Sequence, residues 1–252
     1  MVKERLLAWY TKNRTMPENM VFYRDGVSES QFKECIEKEI PAINQAYKQA
    51  RQQTKTMSKP FKLTFVIVTK RHSSRFFPTK KRDCTGIDAR DPMKSNLNVR
   101  PGLYVGDTVT DPGPTAKGSE TFTNFYLQPH EALKGTARSA HYYVLKDDMR
   151  IGNSMRLPNI THALSYAFGR STRAVSYVAP TYIADRLCER GRVYLRGCTI
   201  NVYEDIKKES EAVREDKLKD AAKTIAESKE WGCNANKRNP WHTDLKDTMF
   251  WM

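Results

Sequence analysis

Two acids and one basic run are the residues in this chain whose types could do chemistry. Asp25 sits in VFYRDGVSESQF (residues 21–32), where a short apolar stretch ends in an acid, then a glycine, then a helix start. An acid there can be a turn, a cap or part of a metal site. Asp-Gly is a common turn dipeptide, so taken alone the turn is the stronger reading. Asp185 falls on a helical stretch after Ala179 and Pro180, among Ile183, Ala184 and Leu187. An uncompensated carboxylate is costly beside apolar neighbours; the plainer reading is an ion pair with Arg186 or Arg190. Mg²⁺ takes a few carboxylates plus water and phosphate oxygens, and a two-metal phosphodiester site needs three or four acids. Two acids alone are too few. Lys70, Arg71, His72 and Arg75 form either a phosphate-binding loop or a solvated charge run, and the adjoining Phe76, Phe77 and Pro78 could pack it down. His130 and His141 have no Ser or Cys partner in view and are discounted as catalysts. There is no Walker motif, GxGxxG or nucleophile elbow.

The elements that must position these residues read as α/β. Residues 2–12 have helical periodicity, with Val2, Leu6, Trp9 and Tyr10 on one side. MVFY (20–23) is a short strand, and Ser28 with Gln31 is a capping-box pattern. A helix follows with Phe32, Ile36, Ile40, Ile43 and Tyr47 facing inward, interrupted and kinked at Pro41. FKLTFVIVTK (61–70) is a strand too apolar to be an exposed edge. Strand, helix, strand predicts a crossover with both strands parallel in one sheet, and Lys70 leaving at the same edge as Asp25. Residues 78–120 read as an elaborated loop holding a strand near 103–109. FTNFYLQ (122–128) and HYYVLK (141–146) are further strands. Helices are expected at 159–170 and 182–190, with strand-like AVSYV (174–178) between them, and a solvated charged helix beyond Gly197, through 203–230. The expected architecture is one domain with a mixed sheet.

Composition sets the partner class. Lys+Arg 43 against Asp+Glu 29 gives a net charge of +14 over 252 residues, concentrated in TKRHSSRFFPTKKR (69–82) and in the arginines of 170–196. Such an excess on a folded chain points to a polyanion. No apolar run is long enough for a membrane span, and no secretory signal opens the sequence. Five scattered cysteines (Cys35, Cys84, Cys188, Cys198, Cys233) are not at metal-ligand spacing and read as reduced thiols of the cytoplasm or nucleus.

FYRDGVSE with QF at the helix start resembles the signature of the PIWI domain of Argonaute proteins. The likeness continues in VIVTKRHSSRFF, YLQPHEALKGTARSAHYYVLKDD, RSTRAVSYVAPTYIADRLCERGRVYL and the terminal DTMFWM, in family order. It covers residues 1–196 as a family-like core, and it implies a ribonuclease H-like fold. A charged helical tail (203–230) and a C-terminal segment (241–252) packing back on the domain complete the expected layout. The resemblance implies small-RNA-guided silencing, with a guide RNA, a target RNA and the remaining Argonaute domains as partners. Active members cut the target with Mg²⁺ (or Mn²⁺) held by acids. On that pattern Asp25 and Asp185 are metal ligands, and Lys70, Arg71, His72, His130, Arg170, Ser176, Tyr182 and Arg190 contact RNA, with Arg190 at the guide 5′ phosphate. Two further family acids precede the part that resembles MVKERLLAWY. The chain is therefore expected to lack the first strands and half the ligands, and to bind RNA without cutting it. The alternatives are a non-catalytic binding or interaction module, or a fragment without independent function.

Overall fold

The computed structural model describes residues 1–56, 61–85, 97–110, 123–132, 135–152, 154–205 and 209–227, with residues 244 and 248 besides. Side chains of 194–205, 221–222 and 224–227 stand outside that description. So does the 241–252 segment, apart from those two residues. The chain forms two compact units, Met1–Thr181 and Tyr182–Met252.

In the first unit, α1 (Val2–Asn13) leads to β1 (Asn19–Asp25), and a helical crossover leads on to β2 (Lys62–Thr69). The two strands are parallel, in register from Asn19 opposite Lys62 to Asp25 opposite Val68. This is the expected crossover, since a parallel neighbour cannot be reached by a hairpin. β2 lies inside the sheet, and Leu63 through Val68 are at most 1% exposed. Its side chains alternate as strand geometry requires. Leu63, Phe65 and Ile67 pack toward the crossover helix with Phe32, Cys35, Ile40 and Ile43. Val66 and Val68 face the other way, onto Phe125, Tyr142, Leu157 and Val178.

The crossover departs from the expected single helix. A 3-10 turn at Glu29–Gln31 opens it, where Gln31 Oε1 accepts the Ser28 backbone N–H at 3.1 Å. Then come α2 (Phe32–Glu34), a π-turn (Cys35–Glu39) and α3 (Ile40–Thr54). The extra residue in the π-turn shifts the inward face. Cys35, and not Ile36, joins the core, and inward spacing resumes with Ile40, Ile43, Tyr47 and Ala50; Ile36 is 37% exposed. Pro41 follows directly on the π-turn, and because it has no N–H to donate to the preceding turn, the regular helical ladder is interrupted there, as expected. Trp9, expected on the inner side of α1, is 49% exposed, while Leu6 is buried.

After the short antiparallel pair β3 (Cys84–Thr85) and β4 (Asn98–Val99) come β5 (Leu103–Val105), β6 (Asn124–Gln128) and β7 (Ala140–Asp147). The main sheet is five-stranded in the order β1-β2-β7-β6-β5, antiparallel beyond β2. The expected strand at 103–109 stops at Val105, and Thr108 takes a left-handed conformation (φ 64). α4 (Arg156–Leu164) covers the sheet, tied to β1 by a 2.8 Å hydrogen bond between Tyr23 and Thr161 hydroxyls.

AVSYV is not a strand. Its N–H groups bond elsewhere: Val175 to the Ser165 carbonyl at 2.9 Å, and Val178 to the Tyr142 hydroxyl at 3.2 Å. Burial of Val175 and Val178 gave it a strand-like composition without a ladder. α5 (Ala179–Asp205) continues well beyond residue 190, through Gly191 and Gly197, although each glycine disfavours helix by about 1 kcal/mol. α6 (Glu211–Glu227) is the charged tail helix. Among the described residues no helix is long and apolar enough to cross a membrane.

Candidate nucleic-acid interface

Topology gathers one end of the sheet. β7 runs antiparallel to both β2 and β6, so its N-terminus lies beside their C-termini: Thr69 is opposite His141, and Leu127 is opposite Ala140. With Asp25 opposite Val68, the residues Asp25, Lys70, Arg71, His72, His130, Arg138 and Ser139 all emerge at this end. Open α/β sheets place ligands outside the carboxyl ends of their parallel strands.

Asp25 closes β1. Its Oδ1 accepts the Gly26 N–H at 2.6 Å, and Gly26 takes φ +76, which any side chain would strain. The turn reading of Asp25 is thus realised in the structure, with its half-buried carboxylate held at the sheet end. Beside it, Arg24 Nε bridges both Glu39 oxygens at 3.0 and 3.1 Å.

The loop after β2 is fastened rather than solvated. His72 Nε2–H donates to the Ser139 carbonyl at 2.8 Å, joining the exit of β2 to the entry of β7. Arg75 Nη1 donates to the carbonyls of His72 and Ser74, at 3.0 and 2.7 Å. Phe76 packs edge-on against Tyr126 at 5.1 Å, as expected for a packed-down loop, while Phe77 is 68% exposed. Underneath, His141 stacks on Tyr126 at 3.8 Å and donates from Nε2 to Asn124 Oδ1 at 2.9 Å. Burial, with the nearby His72 adding to it, pushes His141 down to about 3, so it is a neutral structural ring at physiological pH.

Lys70 is half-buried, its Nζ 5.8 Å from the centroid of the Tyr177 ring. Burial first, and the Arg138 guanidinium second, push its ammonium down to about 8. Burial and Lys70 together push His130 down to about 4. His72 is lowered by burial and by Arg75, Arg138 and Lys70. Among the described residues no carboxylate pairs with Lys70, Arg71, Arg75 or Arg138; the nearby Glu131 lies 4.0 Å from Arg173. Like charges held together without counter-charge form a field that a polyanion relieves.

Arg170 is exposed and Ser176 half-buried, both in the first unit. Tyr182, Asp185 and Arg190 belong to the second. There Arg186 spans its own helix: Nη2 lies 3.7 Å from Asp185 Oδ2, Nη1 lies 2.7 Å from Glu189 Oε2, and the guanidinium sits 5.1 Å over the Tyr182 ring. The ion pair considered for Asp185 is therefore present. Among the described residues no group of three His, Cys, Asp or Glu side chains is placed to hold a metal ion.

Residues 1–196 match the Piwi domain family. Protein argonaute 18 of Oryza sativa subsp. japonica is 36% identical over 195 residues, covering 77% of this chain and 16% of that protein. Protein argonaute 5 of Arabidopsis thaliana is 32% identical over the same length, covering 77% and 18%. The chain belongs to the Piwi domain family. It spans about one sixth of the length of these Argonaute relatives. Among solved structures, Kluyveromyces polysporus Argonaute with a guide RNA aligns at TM-score 0.62 and 30% identity, covering 75% of this chain and 20% of that one. The C-terminal lobe of a budding yeast Argonaute aligns at TM-score 0.65 and 24% identity, covering 100% and 43%.

The mixed sheet flanked by helices is the ribonuclease H-like Piwi fold. Of the residues singled out on the Piwi pattern, the structure brings Asp25, Lys70, Arg71, His72 and His130 to one sheet end. Two members of that end were missed by sequence reasoning. Arg138 lies just ahead of β7, and it becomes a neighbour of Lys70 only once β7 is known to pair with β2. Tyr177 lies in a stretch whose strand-like composition concealed an irregular segment.

Proposed function

We propose that this Piwi chain serves small-RNA-guided silencing by holding guide-RNA phosphates at the carboxyl end of its parallel strands. The observation that carries the reading is the convergence of Lys70, Arg75 and Arg138 around His72 there, with no carboxylate pairing with them among the described residues. Arginine donates in pairs to phosphate, and lysine adds a point charge. Such contacts fix position and carry no base information, so target choice falls to guide pairing. On the family pattern Arg170, Ser176, Tyr182 and Arg190 supply further guide contacts, and the target RNA and remaining Argonaute domains are partners. Target cutting belongs to a protein that adds acids to Asp25 and Asp185, with Mg²⁺ supplying charge stabilisation when such a set is complete.

Fluorescence anisotropy with a 5′-phosphorylated single-stranded RNA tests this. Affinity should fall as salt rises, with a log–log slope of about −0.7 per phosphate contact, hence about −2 for three contacts. A slope near zero would contradict it. With Mg²⁺ and a guide–target duplex, this chain should leave the target intact; cutting that Asp25→Ala abolishes would overturn that part.

A further inference from the structure

We propose that Lys70 takes up a proton when a phosphate group docks against it, so that anion binding at this sheet end is coupled to protonation of a single amine. The inference rests on the phosphate-site reading above and adds a regulation to it.

The geometry isolates Lys70 among groups that cannot stabilise its charge by pairing. Arg138 faces it from the segment ahead of β7, His130 from the end of β6, and Tyr177 from the segment ahead of α5. His72 and Arg75 belong to its own loop. The ring of Tyr177 favours the cation, but weakly at 5.8 Å. Arg138 opposes it, and half-burial removes part of its water. Asp25 on β1 is the carboxylate at the neighbouring strand end, and its Oδ1 accepts from Gly26. Glu131 is drawn to Arg173. Neither pairs with Lys70 among the described residues.

The free amine is therefore partly neutral in the mildly alkaline range, being held at about 8. A phosphate brought in by the surrounding guanidinium groups supplies the missing counter-charge. It restores Lys70 toward the usual lysine value of about 10.4. The proton comes from solvent buffer, and no bond other than the N–H is made. His130 at about 4, and His72 below its ordinary value, are neutral throughout this range. Lys70 is then the member of the cluster that changes charge. With the bound value above the free one, the complex holds more protons than the separate partners, so affinity must fall as pH rises through the free value. Linkage gives a drop of about tenfold between pH 7 and 9.

Isothermal titration calorimetry with a 5′-hydroxyl RNA, whose backbone phosphates stay ionised throughout, in pairs of buffers of different ionisation enthalpy at pH 8.5 and pH 6.5, reads the proton directly. The expected uptake at pH 8.5 is about three-quarters of a proton, and at pH 6.5 it is close to zero. Lys70→Arg should bind RNA with no uptake at either pH, since guanidinium keeps its proton. Binding by the natural chain without buffer dependence at pH 8.5 would overturn this inference while leaving the phosphate site standing. Undiminished uptake in Lys70→Arg would do the same. Absence of binding at both pH values would remove the phosphate site itself, and this inference with it.

Discussion

Reversing Lys70 and Arg138 together (Lys70→Glu, Arg138→Glu) is expected to weaken 5′-phosphorylated RNA binding by about a hundredfold at moderate salt, and to reduce the salt slope by more than one contact's worth. The two side chains approach each other from the exit of β2 and the entry of β7 and lack a paired carboxylate among the described residues. Their reversal should therefore cost binding without breaking an ion pair of the fold. The loss should be the same for unrelated RNA sequences, because these groups meet phosphates rather than base edges. Anisotropy with two RNAs of different sequence checks this. A loss confined to one sequence would mean that the pair reads bases. Unchanged affinity would place the RNA elsewhere.

The largest stability effect is expected at Tyr142. Its ring is fully buried and stacks on Phe125 at 5.0 Å, while its hydroxyl accepts the Val178 N–H at 3.2 Å. Burial drives its ionisation far above the usual tyrosine value, so the hydroxyl stays protonated. Tyr142→Ala should cost about 4 kcal/mol by removing a core ring that its surroundings cannot refill. Tyr142→Phe keeps the ring and leaves only the Val178 N–H unpaired, at a cost of about 1–2 kcal/mol. Urea denaturation of both variants separates the two contributions, and equal losses would mean that packing is the minor part. The hydroxyl also reaches function. Val178 adjoins Tyr177, whose ring lies under Lys70. Tyr142→Phe should therefore weaken RNA binding slightly even where the fold survives.

The parts legible in the sequence were those written in local periodicity. The uninterrupted apolar run of β2 announced an interior strand, and Asp25-Gly26 announced a turn that the structure realises with a positive φ at the glycine. The π-turn was not legible. Its register shift from Ile36 to Cys35 comes from one extra residue, and both residues are apolar. AVSYV has a strand-like composition because burial, and not pairing, selects valine there. The cluster around Lys70 was half legible. Lys70, Arg71 and His72 are adjacent in the chain, whereas Arg138 joins them only through strand order, a long-range property that no local pattern encodes. The two acids singled out, Asp25 and Asp185, belong to different compact units.

Photo-crosslinking of a 5′-phosphorylated RNA to the natural chain, mapped by mass spectrometry, tests the central claim most directly. Crosslinked peptides should carry residues 70–76 and 135–139, the two segments that meet where His72 donates to Ser139. Crosslinks confined to the charged helix Glu211–Glu227, with none at that sheet end, would contradict it.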